Sequence, residues 1–151
     1  ICENNRYAIS TPKTSQMAIE EFADRASSYG FPGFTVDGMD LVACYEATRE
    51  AIIHARSQGP VLLEMMGERF MSHTTDDDDS RYRPEGEVER ARERDPVVTL
   101  ARTLIDETIL TQKQVDEIAA AVLKATDEAP DIADASSPPD ESGLHDMVYS
   151  P

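Results

Sequence analysis

Hydrophobic residues recur at every third or fourth position in several stretches of the chain, which is the spacing of a helix with one buried face. Residues 15–28 form the first such stretch. The second begins after Asp40, a suitable N-cap, and runs to about Ser57, where Gly59 and Pro60 follow. Two helices are therefore predicted here, and the apolar face of the second would consist of Leu41, Cys44, Tyr45, Thr48 and Ile52.

Three apolar segments predict strands. The chain opens on residues typical of a strand end, Phe34-Thr35-Val36 forms a short strand closed by Asp37-Gly38, and residues 60–66 are almost continuously apolar. A run of the last kind is usually buried on both faces of a parallel sheet. Strands that alternate with helices in this way form βαβ units, so the sequence predicts an α/β fold with a parallel sheet flanked by helices.

The second half of the chain predicts a polar loop, further helices and a tail. Residues 71–84 are too long and too polar for a simple connection, and loops of this kind are either functional or disordered. Helices resume over residues 85–94, after Asp95-Pro96, and after Thr111, which can form a capping box with the glutamine three positions on. Residues 130–143 are rich in Pro, Ser and Asp and predict a tail, whose end could re-dock through Leu144, Met147, Val148 and Tyr149.

The charge balance limits the classes of partner. Lys and Arg number 14 against 30 Asp and Glu, a formal net charge of −16. Nucleic-acid binding and membrane-surface anchoring both depend on basic surfaces, so neither is expected. No apolar run approaches the ~20 residues that span a bilayer, and the two cysteines, Cys2 and Cys44, have neither paired spacing nor metal-ligand neighbours. These features predict a cytoplasmic protein with reduced thiols.

Two polar positions follow predicted strands and are candidates for binding or chemistry. Asn4-Asn5 is either a strand-end turn, which asparagine favours, or a hard-cation site, because amide and carbonyl oxygens suit Mg²⁺. The spacing alone favours the turn, whereas the place after a strand favours the cation site, since ligands of open α/β sheets bind at the carboxyl ends of the strands. His73 lies in the polar loop after the last strand. It is either a surface residue or a proton donor and acceptor that could also hold a phosphate oxygen.

Four consecutive aspartates, Asp76 to Asp79, occupy the polar loop. They lack the alternating ligands, the glycine and the terminal glutamate of a calcium loop, so we interpret them as a solvated charge run. Arg69, Arg81 and Arg83 are near enough in sequence to offset this charge, but an exposed ion pair contributes only about 0–1 kcal/mol. Ordering each residue costs ~1–2 kcal/mol of backbone entropy, so the loop is predicted to be disordered until something binds to it.

Three separated motifs, taken in order, resemble one enzyme family. They are Cys2-Glu3-Asn4-Asn5-Arg6-Tyr7-Ala8-Ile9-Ser10-Thr11-Pro12, Val36-Asp37-Gly38-Met39-Asp40, and the run from Arg69-Phe70 through His73-Thr74-Thr75 and Asp77-Asp78 to Tyr82-Arg83. Together they are similar to the alpha subunit of the thiamine-diphosphate-dependent, decarboxylating dehydrogenase component of 2-oxo acid dehydrogenase complexes. The branched-chain (2-oxoisovalerate) members look most similar.

The resemblance implies a division of the chain into four parts. Residues 1–70 would be the C-terminal part of the thiamine-diphosphate-binding α/β domain, 71–84 an active-site loop, 85–128 C-terminal helices and 129–151 the tail. The family's thiamine motif begins with Gly-Asp-Gly and closes with the Asn-Asn pair, and only the closing half is found here. The chain is therefore expected to be the C-terminal part of a longer subunit.

The resemblance also implies roles for individual residues. Asn5 would bind Mg²⁺ through its amide oxygen and Tyr7 through its backbone carbonyl, and this ion would hold the cofactor diphosphate. His73 would be the active-site histidine, near the diphosphate and the substrate. Thr74 lies where animal mitochondrial relatives carry a serine that a regulatory kinase phosphorylates. The residues that would order the loop over the cofactor are Arg69, Thr74, Asp77, Tyr82 and Arg83.

The implied reaction is the oxidative decarboxylation of a 2-oxo acid, with transfer of the acyl group to the lipoyl domain of an acyltransferase component. The implied cofactors are thiamine diphosphate and Mg²⁺. The implied partner is a beta subunit in an α₂β₂ heterotetramer, in the cytoplasm of a bacterium or an archaeon. Pyruvate and acetoin dehydrogenases are the alternatives to a branched-chain substrate. An alternative of a different class is a non-catalytic fragment that acts only in oligomerisation or binding.

Overall fold

The computed structural model describes residues 1–146 and 148. The chain separates into two compact units, Ile1–Thr103 and Leu104–Pro151. The strands are β1 Cys2–Asn4, β2 Tyr7–Ala8, β3 Thr11–Pro12, β4 Gly33–Asp37 and β5 Leu62–Met66. The helices are α1 Lys13–Gln16, α2 Leu41–Ser57, α3 Glu87–Arg92, α4 Pro96–Asp106 and α5 Gln112–Ala135, with 3₁₀ segments at Phe22–Tyr29, Asp79–Arg81 and Glu141–His145. In this part of the chain no helix combines the length and the apolar character that crossing a membrane requires.

β5 is the central strand of a three-stranded parallel sheet with the order β1-β5-β4. Asn4 of β1 and Asp37 of β4 both stand opposite Met66, so the carboxyl ends of the three strands lie side by side. The sheet confirms the predicted parallel strands around residues 34–36 and 60–66, and with them the α/β fold class. All three strand ends are followed by polar or glycine residues, which open this edge of the sheet to a ligand.

α2 forms where the sequence predicted it. The Asp40 side chain accepts a hydrogen bond from the backbone N–H of Ala43 (3.0 Å). This bond satisfies one of the donors that the start of a helix leaves free. The helix ends at Ser57, shortly before Gly59, whose φ of 112° suits glycine alone.

The predicted apolar face of α2 is not buried. The helix packs against β4 and β5, and this contact leaves Cys44 and Thr48 half-buried. Three other members of the face, Leu41, Tyr45 and Ile52, are 52%, 67% and 44% exposed. The prediction of burial was wrong because, within the described residues, the sheet covers only part of this amphipathic helix.

The single helix predicted over residues 15–28 is also wrong. α1 is one turn long, Met17 after it is extended (φ −142°, ψ 146°), and the 3₁₀ segment Phe22–Tyr29 begins separately. The reason is a tertiary contact, because the backbone N–H of Ala23 donates to the side chain of Glu64 in β5 (2.8 Å). A continuous α-helix would need this N–H for the carbonyl four residues earlier.

β2 and β3 form a short antiparallel hairpin that the sequence did not predict. Its turn contains Ile9 at φ 58°, a strained conformation for a β-branched residue. Two-residue strands and a turn without glycine or asparagine give none of the usual hairpin signals. The hairpin follows the Asn4-Asn5 pair directly and so begins at the carboxyl edge of the sheet.

The last helix is longer than predicted. α5 begins at the predicted capping box of Thr111 and Gln114 but continues to Ala135, beyond the expected end at residue 128. Pro130 lies inside it, although an interior proline costs about 3 kcal/mol or more through a lost hydrogen bond and a clash. Residues 131–135, between this proline and the end of α5, include neither glycine nor proline, so the helix continues to Ala135.

The end of the tail does not dock as expected where it is described. Leu144 and Val148 are 74% and 57% exposed. The other two residues of that prediction, Met147 and Tyr149, lie outside the described residues. A 3₁₀ segment over Glu141–His145, capped by the side chain of Asp140 at the backbone N–H of Ser142 (2.7 Å), takes the place of an irregular tail.

Candidate functional site

A cleft of about 480 Å³ lies at the carboxyl edge of the parallel sheet. Its lining includes Asn4, Asn5, Gly38, Glu68 and Arg69. At Gly38 the backbone N–H donates to the carbonyl of Met66 (2.8 Å), and a Cβ there would lie only 2.9 Å from that oxygen. Only glycine permits this approach, which closes the floor of the cleft at the end of β5.

The two asparagines shape the turn that leaves β1. Asn4 Oδ1 accepts a hydrogen bond from the backbone N–H of Arg6 (2.8 Å), and Asn5 Oδ1 accepts one from Tyr7 (3.1 Å). Arg6 is left-handed, with φ 69°, and its guanidinium pairs with Glu68 (2.7 Å) across the cleft edge. Asparagine favours turns because its side chain can bond the backbone two residues on, and both members of the pair do so here.

A buried carboxylate supports this turn from below. Glu64 lies in β5 with 0% of its surface exposed. Its Oε1 accepts a hydrogen bond from Nδ2 of Asn4 (2.5 Å), and its Oε2 accepts one from the backbone N–H of Ala23 (2.8 Å). Sequence reasoning missed this residue because it was counted within an apolar strand. The signal was present, since an acidic residue amid such a strand must be paired when it is buried.

The polar loop is fastened through Tyr82. Arg69 donates one hydrogen bond to the hydroxyl of Tyr82 (2.8 Å) and one to the carbonyl of Ile9 in the hairpin (2.9 Å). The Tyr82 hydroxyl in turn donates to Asp77 Oδ2 (2.6 Å), which also accepts from the backbone N–H of His73 (2.8 Å). This chain of bonds connects the hairpin to the backbone of His73.

A second set of contacts centres on Tyr7, which links the asparagine turn to the loop. The Tyr7 hydroxyl donates to Glu87 Oε2 (2.9 Å), and the Arg83 guanidinium lies 5.4 Å from the centre of its ring. Arg83 is also 3.0 Å from Glu87 and donates to the carbonyl of Arg69 (2.6 Å). We call Tyr7, Arg69, Tyr82, Arg83 and Glu87 the Tyr7 cluster.

These contacts contradict one assumption behind the prediction that the loop is disordered. That prediction assumed exposed ion pairs, whereas the side chains of Arg83 and Arg69 are only 3% and 15% exposed. The assumption is wrong for these two arginines because Tyr7 and Tyr82 pack against them. It holds for Arg81, which is exposed and forms no ion pair among the described residues.

Hydrogen bonds and burial shift the pKa values of three groups. The Tyr82 hydroxyl, followed by the His73 N–H and the Arg69 charge, lowers the pKa of Asp77 below its ordinary value. Burial, then the bond to Asp77, raises the pKa of Tyr82. Burial, then the bond to Glu87, raises the pKa of Tyr7. All three shifts keep the hydroxyls protonated as donors and the Asp77 carboxylate ionised as an acceptor.

His73 and Thr74 lie on the exposed surface of the loop, beside the bonds that involve Asp77. Among the described residues no group of three or more His, Cys, Asp or Glu side chains could hold a metal ion. The metal-binding atoms predicted from the sequence are two neutral oxygens, the amide oxygen of Asn5 and the backbone carbonyl of Tyr7, and the carboxylate of Glu68 lines the neighbouring cleft. Such hard oxygens suit Mg²⁺.

A protein-family model described as "Dehydrogenase E1 component" matches residues 1–142, nearly all of the chain. The chain belongs to the dehydrogenase E1 component family. This membership agrees with the resemblance drawn from the three motifs, and the E1 family match includes the asparagine turn, the cleft and the Tyr7 cluster.

Several E1 relatives are similar over most of the chain. The 2-oxoisovalerate dehydrogenase subunit alpha of Bacillus subtilis (strain 168) is 45% identical over 155 aligned residues, covering 99% of this chain and 46% of the relative. The pyruvate dehydrogenase E1 component subunit alpha of Rhizobium meliloti (strain 1021) is 37% identical, covering 96% and 42%. The 3-methyl-2-oxobutanoate dehydrogenase subunit alpha of Mycobacterium tuberculosis (strain ATCC 25618 / H37Rv) is 40% identical, covering 78% and 32%. The chain thus spans less than half the length of these relatives.

The cleft of this E1 chain has polar atoms free for a ligand. Among the described residues, Nε of Arg69 and Oε2 of Glu68 are buried without a hydrogen-bond partner, and both residues line the cleft. A buried donor or acceptor without a partner costs about 1–3 kcal/mol, so a polar ligand that bonds to it recovers free energy. The neutral oxygens of Asn5 and Tyr7, at the same edge, fit a cation that accompanies an anionic ligand.

Proposed function

We propose that this chain forms part of the alpha subunit of a 2-oxo acid dehydrogenase that oxidatively decarboxylates a branched-chain 2-oxo acid and transfers the acyl group to a lipoyl group. The proposal includes thiamine diphosphate and Mg²⁺ as cofactors. It also includes a beta subunit, in an α₂β₂ heterotetramer, and the lipoyl domain of an acyltransferase component as partners. Family membership and the names of the relatives support it.

One observation carries the proposal, which is the double role of Tyr7. Its backbone belongs to the turn that would hold the metal, and its side chain belongs to the cluster that holds the loop of His73. A site for cofactor-dependent decarboxylation needs both parts, a cation clamp for the diphosphate and a proton-transferring group near the substrate. Tyr7 ties these two parts together.

The residues present would hold the cofactors as follows. Asn5 Oδ1 and the Tyr7 carbonyl would bind Mg²⁺, and Arg69 would contribute positive charge at the cleft. Thiamine diphosphate, when bound, supplies the electron sink for loss of CO₂. The protein's own contribution would be to fix the turn through Asn4 and Asn5 and to hold the loop that carries His73.

His73 is the proposed acid–base residue. Its backbone N–H donates to Asp77 (2.8 Å), and its side chain is exposed at the surface of the loop. Imidazole exchanges protons near neutral pH, and a positioned acid or base contributes about 10²- to 10⁴-fold to rate. Thr74, next in the chain, remains a proposed loop-ordering position together with Arg69, Asp77, Tyr82 and Arg83.

The substrate and the catalytic role are tested together. The full-length alpha subunit, co-expressed with its beta subunit, is assayed with 2-oxoisovalerate, pyruvate and acetoin in the presence of Mg²⁺, thiamine diphosphate and an artificial electron acceptor. We expect the highest kcat/KM with 2-oxoisovalerate, and His73→Ala should lower kcat by at least a hundredfold. Preference for pyruvate or acetoin would replace the substrate assignment, and a complex inactive with all three would favour a non-catalytic binding module.

The isolated 151-residue chain is expected to bind the cofactors weakly or not at all. The two metal ligands proposed for it, Asn5 and the Tyr7 carbonyl, are neutral oxygens, and a divalent cation held through a diphosphate normally needs a carboxylate ligand as well. Calorimetric titration of this chain with Mg²⁺ and thiamine diphosphate measures this affinity. Micromolar binding would contradict the expectation and show that the cleft is complete within these residues.

A further inference from the structure

Glu64 is the most deeply buried charged residue described, and it touches two other elements. From the central strand it reaches Asn4 at the end of β1 (2.5 Å) and Ala23 in the 3₁₀ segment (2.8 Å). Both partners are N–H donors, and an ionised carboxylate is purely an acceptor, so each oxygen is satisfied. With Asn4 and Ala23 both donating, the site suits a carboxylate.

Stability alone does not explain such a residue. A buried charge has a large desolvation cost, and apolar residues of similar volume often stabilise a core as well or better. The best-attested use of buried polar groups is to specify one arrangement among several. The arrangement that Glu64 specifies can be read from its partner Asn4.

Asn4 uses both ends of its amide. Nδ2 donates to Glu64, which leaves Oδ1 to accept from the backbone N–H of Arg6 (2.8 Å). Turning the amide over would set Oδ1 against the carboxylate and Nδ2 against an N–H, so both bonds would be lost. Glu64 therefore fixes the orientation of Asn4, and Asn4 fixes the left-handed Arg6 (φ 69°), a conformation that non-glycine residues rarely adopt unaided.

Arg6 lies between the two residues that would bind the metal. From this geometry we propose that Glu64 is a positioning residue, which holds the backbone between Asn5 and Tyr7 in the shape that binds the Mg²⁺ of the cofactor. It acts through Asn4 and Arg6 and touches neither metal nor substrate. This inference rests on the proposed function, because it concerns the same site.

Two substitutions separate this role from simple packing. Glu64→Gln keeps the size of the side chain but sets an NH₂ group against an N–H donor, so one of the two bonds is lost. Asn4→Asp sets two carboxylates against each other and should disturb the turn more strongly. In the double variant Glu64→Gln/Asn4→Asp, the amide at position 64 can donate to the carboxylate at position 4 and accept from Ala23, while that carboxylate still accepts from Arg6. The bond between positions 4 and 64 returns with donor and acceptor exchanged, the bonds from Arg6 and Ala23 are kept, and the contact of Asn4 Nδ2 with Met66 Sδ (3.3 Å) is lost.

The test uses the full-length alpha subunit in complex with its beta subunit, and Mg²⁺ with thiamine diphosphate as the probe. Calorimetry at a temperature well below unfolding gives the affinity, and a thermal melt without cofactor gives the stability. Glu64→Gln should weaken Mg²⁺-dependent binding by about tenfold to a hundredfold, the usual effect of losing a group that orients a metal ligand. kcat at saturating cofactor should remain close to wild type, because Glu64 does not touch the reacting atoms. The double variant should recover most of the affinity.

Glu107→Gln is the matched control, because Glu107 is exposed and forms no ion pair among the described residues. It removes the same charge and should leave affinity unchanged. A melting temperature lowered by Glu64→Gln with unchanged affinity would overturn the proposal, since Glu64 would then be only a packing residue. A double variant that folds but does not recover affinity would also overturn it. If the wild-type complex itself bound no cofactor, the proposed function would fail first, which separates the two conclusions.

Discussion

The guanidinium of Arg83 contacts several partners at once. It donates to the carbonyl of Arg69, pairs with Glu87 and Asp79, and lies over the ring of Tyr7. Arginine suits this position because its planar group has five donors in a fixed arrangement and can stack on an aromatic ring. A lysine would supply one compact charge and could satisfy only part of this set.

Removal of this group should loosen the loop. Arg83→Met leaves Glu87 half-buried without its cation, and breaking a buried pair costs about 3–5 kcal/mol. We expect the rate at which an Asp-specific protease cleaves the loop within residues 76–79 to rise at least tenfold. Arg81→Met removes the same charge from an exposed side chain and should change that rate little. Equal cleavage of the two variants would show that Arg83 does not hold the loop.

The bond between Asp77 and the His73 backbone should depend on pH in one direction. Hydrogen bonds lower the pKa of Asp77 below its ordinary 3.8, so this carboxylate stabilises the closed loop above that pH and loses the effect as pH falls through its folded pKa. Hydrogen exchange at the His73 amide, corrected for the intrinsic rate, measures this. We expect constant protection from about pH 7 to pH 5 and a decline only below the ordinary aspartate range. Asp77→Asn should reduce protection at neutral pH and remove the acid step, and a decline beginning near pH 6 would implicate a histidine instead.

At the scale of elements, the predictions that succeeded depended on local signals. The N-cap Asp40, the Thr111 box and the apolar run of β5 each act within a few residues. α2 and α5 begin directly after their predicted caps, and β5, Leu62–Met66, lies within the predicted run 60–66. The failures involved distant partners, as in the 3₁₀ segment, where Glu64 takes the N–H of Ala23 from 41 positions away. The spacing of hydrophobic residues gives no information about a contact between such distant positions.

The candidate site shows the same difference between features set by local sequence and features set by distant contacts. Residues of the three motifs could be named from the sequence, because each motif has a distinctive order of residue types. Glu87 could not be named, since its importance comes from what it touches after folding. Glu64 gave a signal as an acidic residue in an apolar strand, but its partners Asn4 and Ala23 are known only from the structure. Tyr7 was named for its backbone, and only the structure adds the role of its side chain in the cluster.

The cap of α2 offers a test at this scale. Asp40→Ala removes the acceptor of the Ala43 N–H, and loss of an N-cap costs about 1 kcal/mol. Amide exchange in the first turn of α2 should therefore accelerate about fivefold at neutral pH, where opening is at equilibrium. Asp40→Ser keeps a capping oxygen and should remain close to wild type. No change in Asp40→Ala would mean that packing on the sheet, rather than the cap, holds this end of the helix.

At the scale of the whole molecule, unpaired surface is the dominant feature of the first unit. β1 and β4 each pair on one side only among the described residues, and edge strands offer free backbone groups for pairing with other chains. Beside them, Leu41, Tyr45 and Ile52 of α2 are exposed. Contiguous apolar surface of this kind normally marks an interaction site.

The isolated chain is therefore expected to self-associate. Light scattering over a range of concentrations should give an average mass above that of the 16.7 kDa monomer, rising with concentration. Tyr45→Lys/Ile52→Lys places charge on the exposed face of α2 and should lower that mass, whereas Glu107→Gln should not. A constant monomer mass at high concentration would contradict the expectation.

β5 lies between β1 and β4 although it follows both of them along the chain. Its pairing with β1 joins positions 62 residues apart, as at Asn4 and Met66. During synthesis, β1 and β4 therefore have no partner among the three strands of this sheet until β5 has left the ribosome. Pairing over so long a separation is slow, because loop-closure entropy is lost before any contact compensates for it. During this interval β1 and β4 remain unpaired in the parallel sheet, although the β2–β3 hairpin can already form. A chaperone that shields apolar chain would then do most to raise the yield of folded protein.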